Sequence, residues 1–201
     1  EAAFVNLLEC GDKVIVCQNG VFGGRMKENV ERCGATAVMV VDRWGDPVNP
    51  EKLEAAIKKH PDAKVVAFVH SETSTGDRSD AEILCRLAKD AGMLVIVDAV
   101  TSLAGIELKS DEWGADVVYS GSQKCLSGLP GISPITFSDA AVAVIRARTQ
   151  KVQSWFLDMN LIMGYWGEGA KRSYHHTAPV NSIYAIHEAL LMLEEEGLGK
   201  S

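Results

Sequence analysis

Long hydrophobic runs are missing from this sequence of 201 residues. The longest apolar stretches, such as 37–41 and 93–97, reach only strand length, against the roughly 18 residues that a membrane-crossing helix needs. Positive charge is also short: 20 Lys and Arg against 27 Asp and Glu leave a net charge of −7. That balance excludes a non-specific grip on nucleic-acid phosphates or anionic lipid, although a local pocket for a small anion stays open. Cysteines are few and unpaired in pattern. The five (Cys10, Cys17, Cys33, Cys85, Cys125) form no CxxC, and an odd count leaves a free thiol. A reducing compartment follows, the cytoplasm first, with a peroxisome or mitochondrion as the eukaryotic alternatives. No repeat, low-complexity tract or internal linker is present. The first residue is Glu rather than Met, and 2–8 reads as an amphipathic helix without the basic flank of a signal peptide, so the start is expected to be an internal cut.

What the sequence does contain, 47% hydrophobic and 23% charged residues, belongs to a globular protein. Short β-rich runs (13–17, 35–41, 64–69, 93–97, 116–119) alternate with helix-length segments (25–32, 51–59, 80–91). This is the βαβ rhythm of a mixed, mainly parallel sheet with helices on both faces, an α/β fold. Gly92 and Gly114 stand where helices should end. The run 132–137 follows the preceding strand with no room for a crossover helix and is expected to be antiparallel. Ser138 caps a predicted helix to Arg148. The region beyond about residue 150 reads as a connecting arm, then a long helix over 182–196 with Ile183, Ile186, Leu190 and Leu193 on one stripe.

Ligands of open α/β sheets sit at the carboxyl ends of the strands. Four such ends carry chemistry. Val97 runs into Asp98, a carboxylate that is costly to bury without a cation or a charge-assisted donor. Tyr119-Ser120-Gly121-Ser122-Gln123-Lys124 surrounds one lysine with small residues, where an amine can be made nucleophilic. His70 to Gly76 is a cluster of hydroxyls, and Asn19 to Gly24 places Phe22 among glycines. Each also has a structural reading: Asp98 as a helix cap, Lys124 as a surface residue, the hydroxyls as a turn, Phe22 as core. Together they are the parts of a pyridoxal phosphate site, with an amine for the aldehyde, a carboxylate for the ring nitrogen, an aromatic for the ring face and hydroxyls for the phosphate.

Ser71-Glu72-Thr73-Ser74-Thr75-Gly76, the strand end Val95-Ile96-Val97-Asp98-Ala99-Val100, Tyr119 to Lys124, and Tyr174-His175-His176-Thr177 with Pro179 resemble the alanine-glyoxylate and serine-pyruvate aminotransferases. These are class V members of the fold type I pyridoxal phosphate enzymes. The separation of 26 residues between Asp98 and Lys124 fits as well. The resemblance implies that Lys124 holds pyridoxal 5'-phosphate covalently and carries the transferred proton, and that Asp98 keeps the pyridine nitrogen protonated. Phe22 stands where the family often has a tryptophan over the ring, keeping the stacking without the indole donor. Thr73 matches a hydroxyl beside the phenolic oxygen and the substrate carboxylate, and Gln123 a phosphate ligand. Tyr174 and Thr177 match phosphate ligands supplied by the neighbouring subunit, which implies a homodimer with a shared active site.

The same resemblance places the family's phosphate loop just before Glu1 and its C-terminal small domain, with the substrate-carboxylate arginine, after about Ser201. Residues 1–201 are therefore expected to be most of the cofactor-binding large domain, and roughly half of an enzyme. The implied reaction moves an amino group from a small amino acid, alanine or serine, to a 2-oxo acid, glyoxylate or pyruvate. The alternatives are a serine-glyoxylate, ureidoglycine-glyoxylate or aminoethylphosphonate aminotransferase, a cysteine desulfurase, or an inactive fragment or pseudoenzyme.

Other motifs lead elsewhere. Gly199-Lys200-Ser201 invites a phosphate-loop reading, but Glu194 stands where that motif requires glycine. His175 and His176, as neighbours in an extended segment, should point opposite ways and have no further ligand at metal spacing. Cys125 reads as a small packing residue, and Glu194 to Glu196 as a solvated helix end.

Overall fold

A computed structural model describes residues 1–166 and 173–199. Lys200 and Ser201 of the Gly199-Lys200-Ser201 triplet lie outside the described residues. Six strands form the main sheet: β1 (Lys13–Gln18), β2 (Thr36–Val41), β3 (Val65–Val69), β6 (Leu94–Asp98), β7 (Val117–Tyr119) and β8 (Ile135–Phe137), in the order β2-β1-β3-β6-β7-β8. All neighbours are parallel except β7 and β8, which pair antiparallel with Val118 opposite Thr136. The expected antiparallel edge is present but shorter than 132–137. Pro134 has no N–H to give a ladder, though its carbonyl accepts the Ser120 N–H at 2.9 Å. A two-rung hairpin, β4 (Ser71–Glu72) with β5 (Asp77–Arg78), follows β3.

The alternation of side chains along the strands sends two cores to opposite faces. Ile15, Cys17, Val66, Phe68, Val95 and Val97 pack against Leu53 and Ile57 of α3 (Pro50–Lys59) and Leu84, Cys85 and Ala88 of α4 (Ala81–Asp90). Val14, Val16, Val65, Ala67, Val69, Ile96 and Val117 pack against α1 (Ala2–Leu7), α2 (Val21–Arg32) and α6 (Asp139–Arg146). Strands buried on both faces explain the continuous apolar runs of the sequence. Local signals set the helix ends. The Asn49 side chain accepts from Glu51 N–H at 2.8 Å with Pro50 in the first turn, Asp80 accepts from Ile83 N–H at 3.1 Å, and Ser138 accepts from Ala141 N–H at 3.1 Å. The short α5 (Ser110–Trp113) stops at Gly114, whose φ of +74° is left-handed.

The region after residue 150 differs from its expectation. It holds a further helix, α7 (Met159–Trp166), before α8 (Val180–Glu196), which begins two residues earlier than its stripe suggested. The sequence of α7 is apolar nearly all round and shows no stripe, so its start is set by tertiary contacts. Buried Asn6 accepts the Met159 N–H at 2.9 Å and donates to the Leu157 carbonyl at 2.7 Å. On α8, Leu193 and Ala189 are buried whereas Ile183 and Leu190 are exposed. Ile186, Leu190 and Leu193 of the expected stripe line an open groove of about 1150 Å³ with Leu103, Ile106 and Leu126, whereas Ile183 stands outside it.

Gly23 sits where α2 crosses the end of β1. A Cβ there would lie 2.7 Å from the Gln18 Cα and 2.8 Å from the Cys17 carbonyl oxygen. Both atoms are backbone, so Gly23→Ala must push the helix off the strand and is expected to destabilise by roughly 1–3 kcal/mol. A thermal midpoint equal to wild type would show that α2 moves freely.

Candidate active site

The carboxyl ends of β1, β3, β6 and β7 lie along one edge of the sheet, because the parallel register sets Val69 beside Asp98 and Asp98 beside Tyr119. All four segments singled out in the sequence therefore emerge together. Hydrogen bonds then tie them to one another. Asp98 O accepts the His70 N–H at 2.9 Å, and Tyr119 O accepts the Ala99 N–H at 2.9 Å. The Thr73 hydroxyl donates to the Thr101 hydroxyl at 3.2 Å, which donates in turn to the Ser71 carbonyl at 2.7 Å. Phe22 N–H donates to the Glu72 carboxylate at 3.1 Å. Phe22, Thr73 and Asp98 thus belong to one connected cluster. The Arg25 guanidinium stands over the half-buried Phe22 ring at 4.8 Å, a cation–π contact.

Gln123 and Lys124 occupy the loop after β7, with both side chains exposed. The loop is held by backbone bonds. Lys124 N–H donates to Gly121 O at 3.3 Å, Ser127 N–H to Lys124 O at 2.8 Å, and Gly128 N–H to Ser122 O at 2.7 Å. Ser127 has a φ of +56°, an uncommon backbone for a residue with a side chain. The Cys125 thiol donates to the Thr101 carbonyl at 3.5 Å and so links the lysine loop to the Thr73–Thr101 pair. Cys125 packs there, as its sequence reading anticipated.

Asp98 is the electrostatic centre of the cluster. Its side chain is buried, its Oδ1 accepts the Val100 N–H at 2.9 Å, and the hydroxyl of half-buried Tyr119 hydrogen-bonds to it. Burial pushes the carboxyl above its ordinary range, and the nearby charge of Glu72 pushes the same way against the hydrogen bonds from Val100 and Tyr119. Burial also raises the Tyr119 phenol, with the Asp98 charge adding to it. Two other buried carboxylates, Asp42 and Asp116, have cations. Lys52 stands 2.7 Å from Asp42, and Lys89 stands 2.8 Å from Asp116. Among the described residues Asp98 and Glu72 have no such ion pair.

His70 follows the same strand end but turns to the other face, where its ring meets Trp113 edge-on at 5.7 Å. It is buried, and its Nδ1 has no hydrogen-bond partner. Burial, helped by Arg78, lowers its pKa to about 4. The folded protein therefore binds this proton later than the unfolded chain does. His70 stabilises the fold fully above the unfolded value near 6.5, and that contribution drains away as the pH falls toward 4. The loss amounts to about 3 kcal/mol at most. His70→Phe should flatten this part of the stability–pH curve in denaturant titrations. An unchanged slope would remove His70 as its cause.

Tyr174 and Thr177 lie apart from this cluster. Both are exposed, their hydroxyls bond to each other at 2.8 Å, and neither bonds to Asp98, Thr73 or Lys124 among the described contacts. The expectation that His175 and His176 point opposite ways is wrong. Their Nδ1 atoms share a hydrogen bond of 2.7 Å, because His175 is buried, stacks on Trp155 at 4.1 Å and bonds to the Trp155 carbonyl at 3.0 Å. No group of three metal-ligating side chains occurs among the described residues. Likewise, none of their helices is long and apolar enough to cross a membrane.

The model of one family, described as aminotransferase class-V, matches residues 1–201. The chain belongs to the class V aminotransferase family. It is 40% identical to an alanine–glyoxylate aminotransferase of Oryctolagus cuniculus, over 100% of this chain and 51% of that protein. Two solved structures superpose with TM-scores of 0.94: an alanine–glyoxylate aminotransferase from Nostoc sp., 42% identical over 99% of this chain and 52% of that one, and a ureidoglycine–glyoxylate aminotransferase from Bacillus subtilis, 37% identical over 99% and 51%. The chain spans about half the length of these relatives.

In this class V aminotransferase chain, sequence reasoning assigned no role to Glu72, Tyr119 or Thr101. Tyr119 was findable, since it ends the strand next to the one that ends in Asp98. Thr101 and Glu72 join the cluster only through the way the loops fold back.

Proposed function

We propose that the chain is the cofactor-binding part of a pyridoxal 5'-phosphate-dependent aminotransferase that moves an amino group from alanine or serine to glyoxylate or pyruvate. The observation that carries this reading is Asp98: a buried carboxylate at a strand end, raised by burial and without a lysine or arginine, whereas buried Asp42 and Asp116 each have a lysine. The protonated nitrogen of a pyridine ring is a cation that such a carboxylate would hold by a charge-assisted hydrogen bond. The residues present therefore fit the cofactor. Lys124 would hold it covalently, Asp98 would hold the ring nitrogen, and Phe22 would cover a ring face. Thr73 would sit beside the phenolic oxygen and Gln123 beside the phosphate. Tyr174 and Thr177, whose hydroxyls are exposed and already joined, would serve the phosphate of a second subunit in a homodimer.

Once bound, the cofactor supplies an electron sink for the substrate carbon. The chain's own part is positional and electrostatic. Asp98 keeps a proton on the ring nitrogen through a fixed negative charge, with Tyr119 and Val100 N–H holding that carboxylate in place. Lys124 Nζ, on an exposed loop, takes and returns the proton at the reacting carbon. The Thr73–Thr101 pair orients a hydroxyl toward the same edge. The remaining half of the relatives' length would bring the phosphate loop and a small domain with the substrate-carboxylate arginine, α8 being the connecting helix. The compartment proposed is the cytoplasm.

A second reading, transfer from ureidoglycine to glyoxylate, has the support of the equal TM-score of that neighbour. Full-length protein loaded with cofactor should form glycine from glyoxylate when alanine or serine is the donor, or alanine from pyruvate when serine is the donor. Turnover with ureidoglycine alone selects the second reading, and cofactor uptake without transfer from any donor contradicts both.

A further inference from the structure

Glu72 is 1% exposed and has three donors on its two oxygens. Oε2 accepts the Phe22 N–H at 3.1 Å, while Oε1 accepts the Ser74 N–H at 3.1 Å and the Ser74 hydroxyl at 2.7 Å. The Ser74 oxygen accepts in turn the Val21 N–H at 3.0 Å. The first two N–H groups of α2, which have no partner within their helix, are thus taken up by the turn that carries Thr73. The approach is close: a Cβ on Gly20 would lie 2.3 Å from the Glu72 Cγ and 2.6 Å from the Ser74 oxygen. Gly20 is extended, with φ of −175°, so glycine is needed there for space and not for backbone freedom.

We infer that Glu72 is a positioning residue for the cofactor site: its buried carboxylate clamps the start of α2 to the 71–74 turn and so fixes the Phe22 ring and the Thr73 hydroxyl relative to each other before any ligand arrives. The inference rests on the cofactor reading above. A helix cap needs only one oxygen and is usually an exposed Ser, Thr, Asp or Asn. Here a longer acid is buried without a lysine or arginine, and both of its oxygens are used. It joins two segments, 50 residues apart in sequence, that each carry a candidate cofactor contact. Its negative charge also acts on Asp98, behind burial, in pushing that carboxyl up.

The substitution Glu72→Gln keeps the shape but puts an NH2 group where one oxygen stood. That NH2 group then faces a donor, either Phe22 N–H or the Ser74 pair, and the clamp opens on that side. The test uses full-length protein loaded with pyridoxal 5'-phosphate and reads the circular dichroism of the cofactor's visible absorption band, which reports how the ring is held, together with cofactor affinity. Glu72→Gln should show half or less of the wild-type visible signal and affinity about tenfold weaker. Glu72→Asp, which keeps both oxygens, should recover part of each. The exposed Ser74→Ala removes the shared hydroxyl with little risk to folding, should shift both readouts in the same direction by less, and decides the matter if Glu72→Gln does not fold. Wild-type signal and affinity in Ser74→Ala and in folded Glu72→Gln overturn the inference alone. A wild-type protein that takes up no cofactor on Lys124 overturns the cofactor reading and the inference with it.

Discussion

Asp98→Asn is expected to make the cofactor-free protein more stable and the enzyme far slower. The two effects have one origin. The Asp98 carboxyl is buried, raised and without a lysine or arginine among the described residues, so its ionised form costs stability that a neutral amide of the same size does not. A raised folded value means that this cost is absent below the ordinary carboxylate range and complete above the folded value. The advantage of Asn should therefore be full only above the folded value and vanish in acid. Each kcal/mol relieved corresponds to roughly 2–4 °C in thermal midpoint for a protein of this size. In turnover the same change removes the anion proposed to keep the ring nitrogen protonated, and a loss of about 10²–10³-fold is expected, the usual scale for one preorganised electrostatic partner. Scanning calorimetry of the apo protein at two pH values and steady-state kinetics of the full-length enzyme check the two halves. Unchanged kinetics would remove the pyridinium argument.

Lys124→Ala should abolish turnover, by about 10³-fold or more, while leaving the fold untouched. The side chain is exposed, and exposed substitutions away from special features shift stability within about 0.5 kcal/mol. The amine is the group proposed both to hold the cofactor and to move the proton, so no neighbour can stand in for it. Turnover assays set beside thermal melts separate the outcomes. A normal melt with no activity fits the account, whereas normal activity would make the chain an interaction module that has kept the sheet of its family.

Much of this was legible in the sequence because the determinants are local. Alternating apolar runs and helix-length segments gave the parallel sheet, and the short link before 132–137 gave its antiparallel edge. Ser138 marked a helix start, and Gly92 and Gly114 marked stops. The four strand ends named Phe22, Thr73, Asp98 and Lys124, and the register brings the first three into one bonded cluster with the lysine loop joined through Cys125 and Thr101. What was not legible depends on contacts between distant segments. The start of α7 is set by Asn6, more than 150 residues away in sequence. The His175–His176 contact is set by Trp155, which takes one ring into a stack and leaves the other to bond to it. The use of Glu72 follows from a close approach at Gly20 that no periodicity encodes. The stripe on α8 was correct as a pattern, but amphipathicity says which face is apolar, not whether anything covers it.

The most direct test of the central claim is to add pyridoxal 5'-phosphate to the full-length protein, record the visible absorption of the bound form, reduce with borohydride and map the labelled peptide. The account predicts a visible band and a single label on Lys124. A label on another lysine, or none at all in full-length protein, would contradict it.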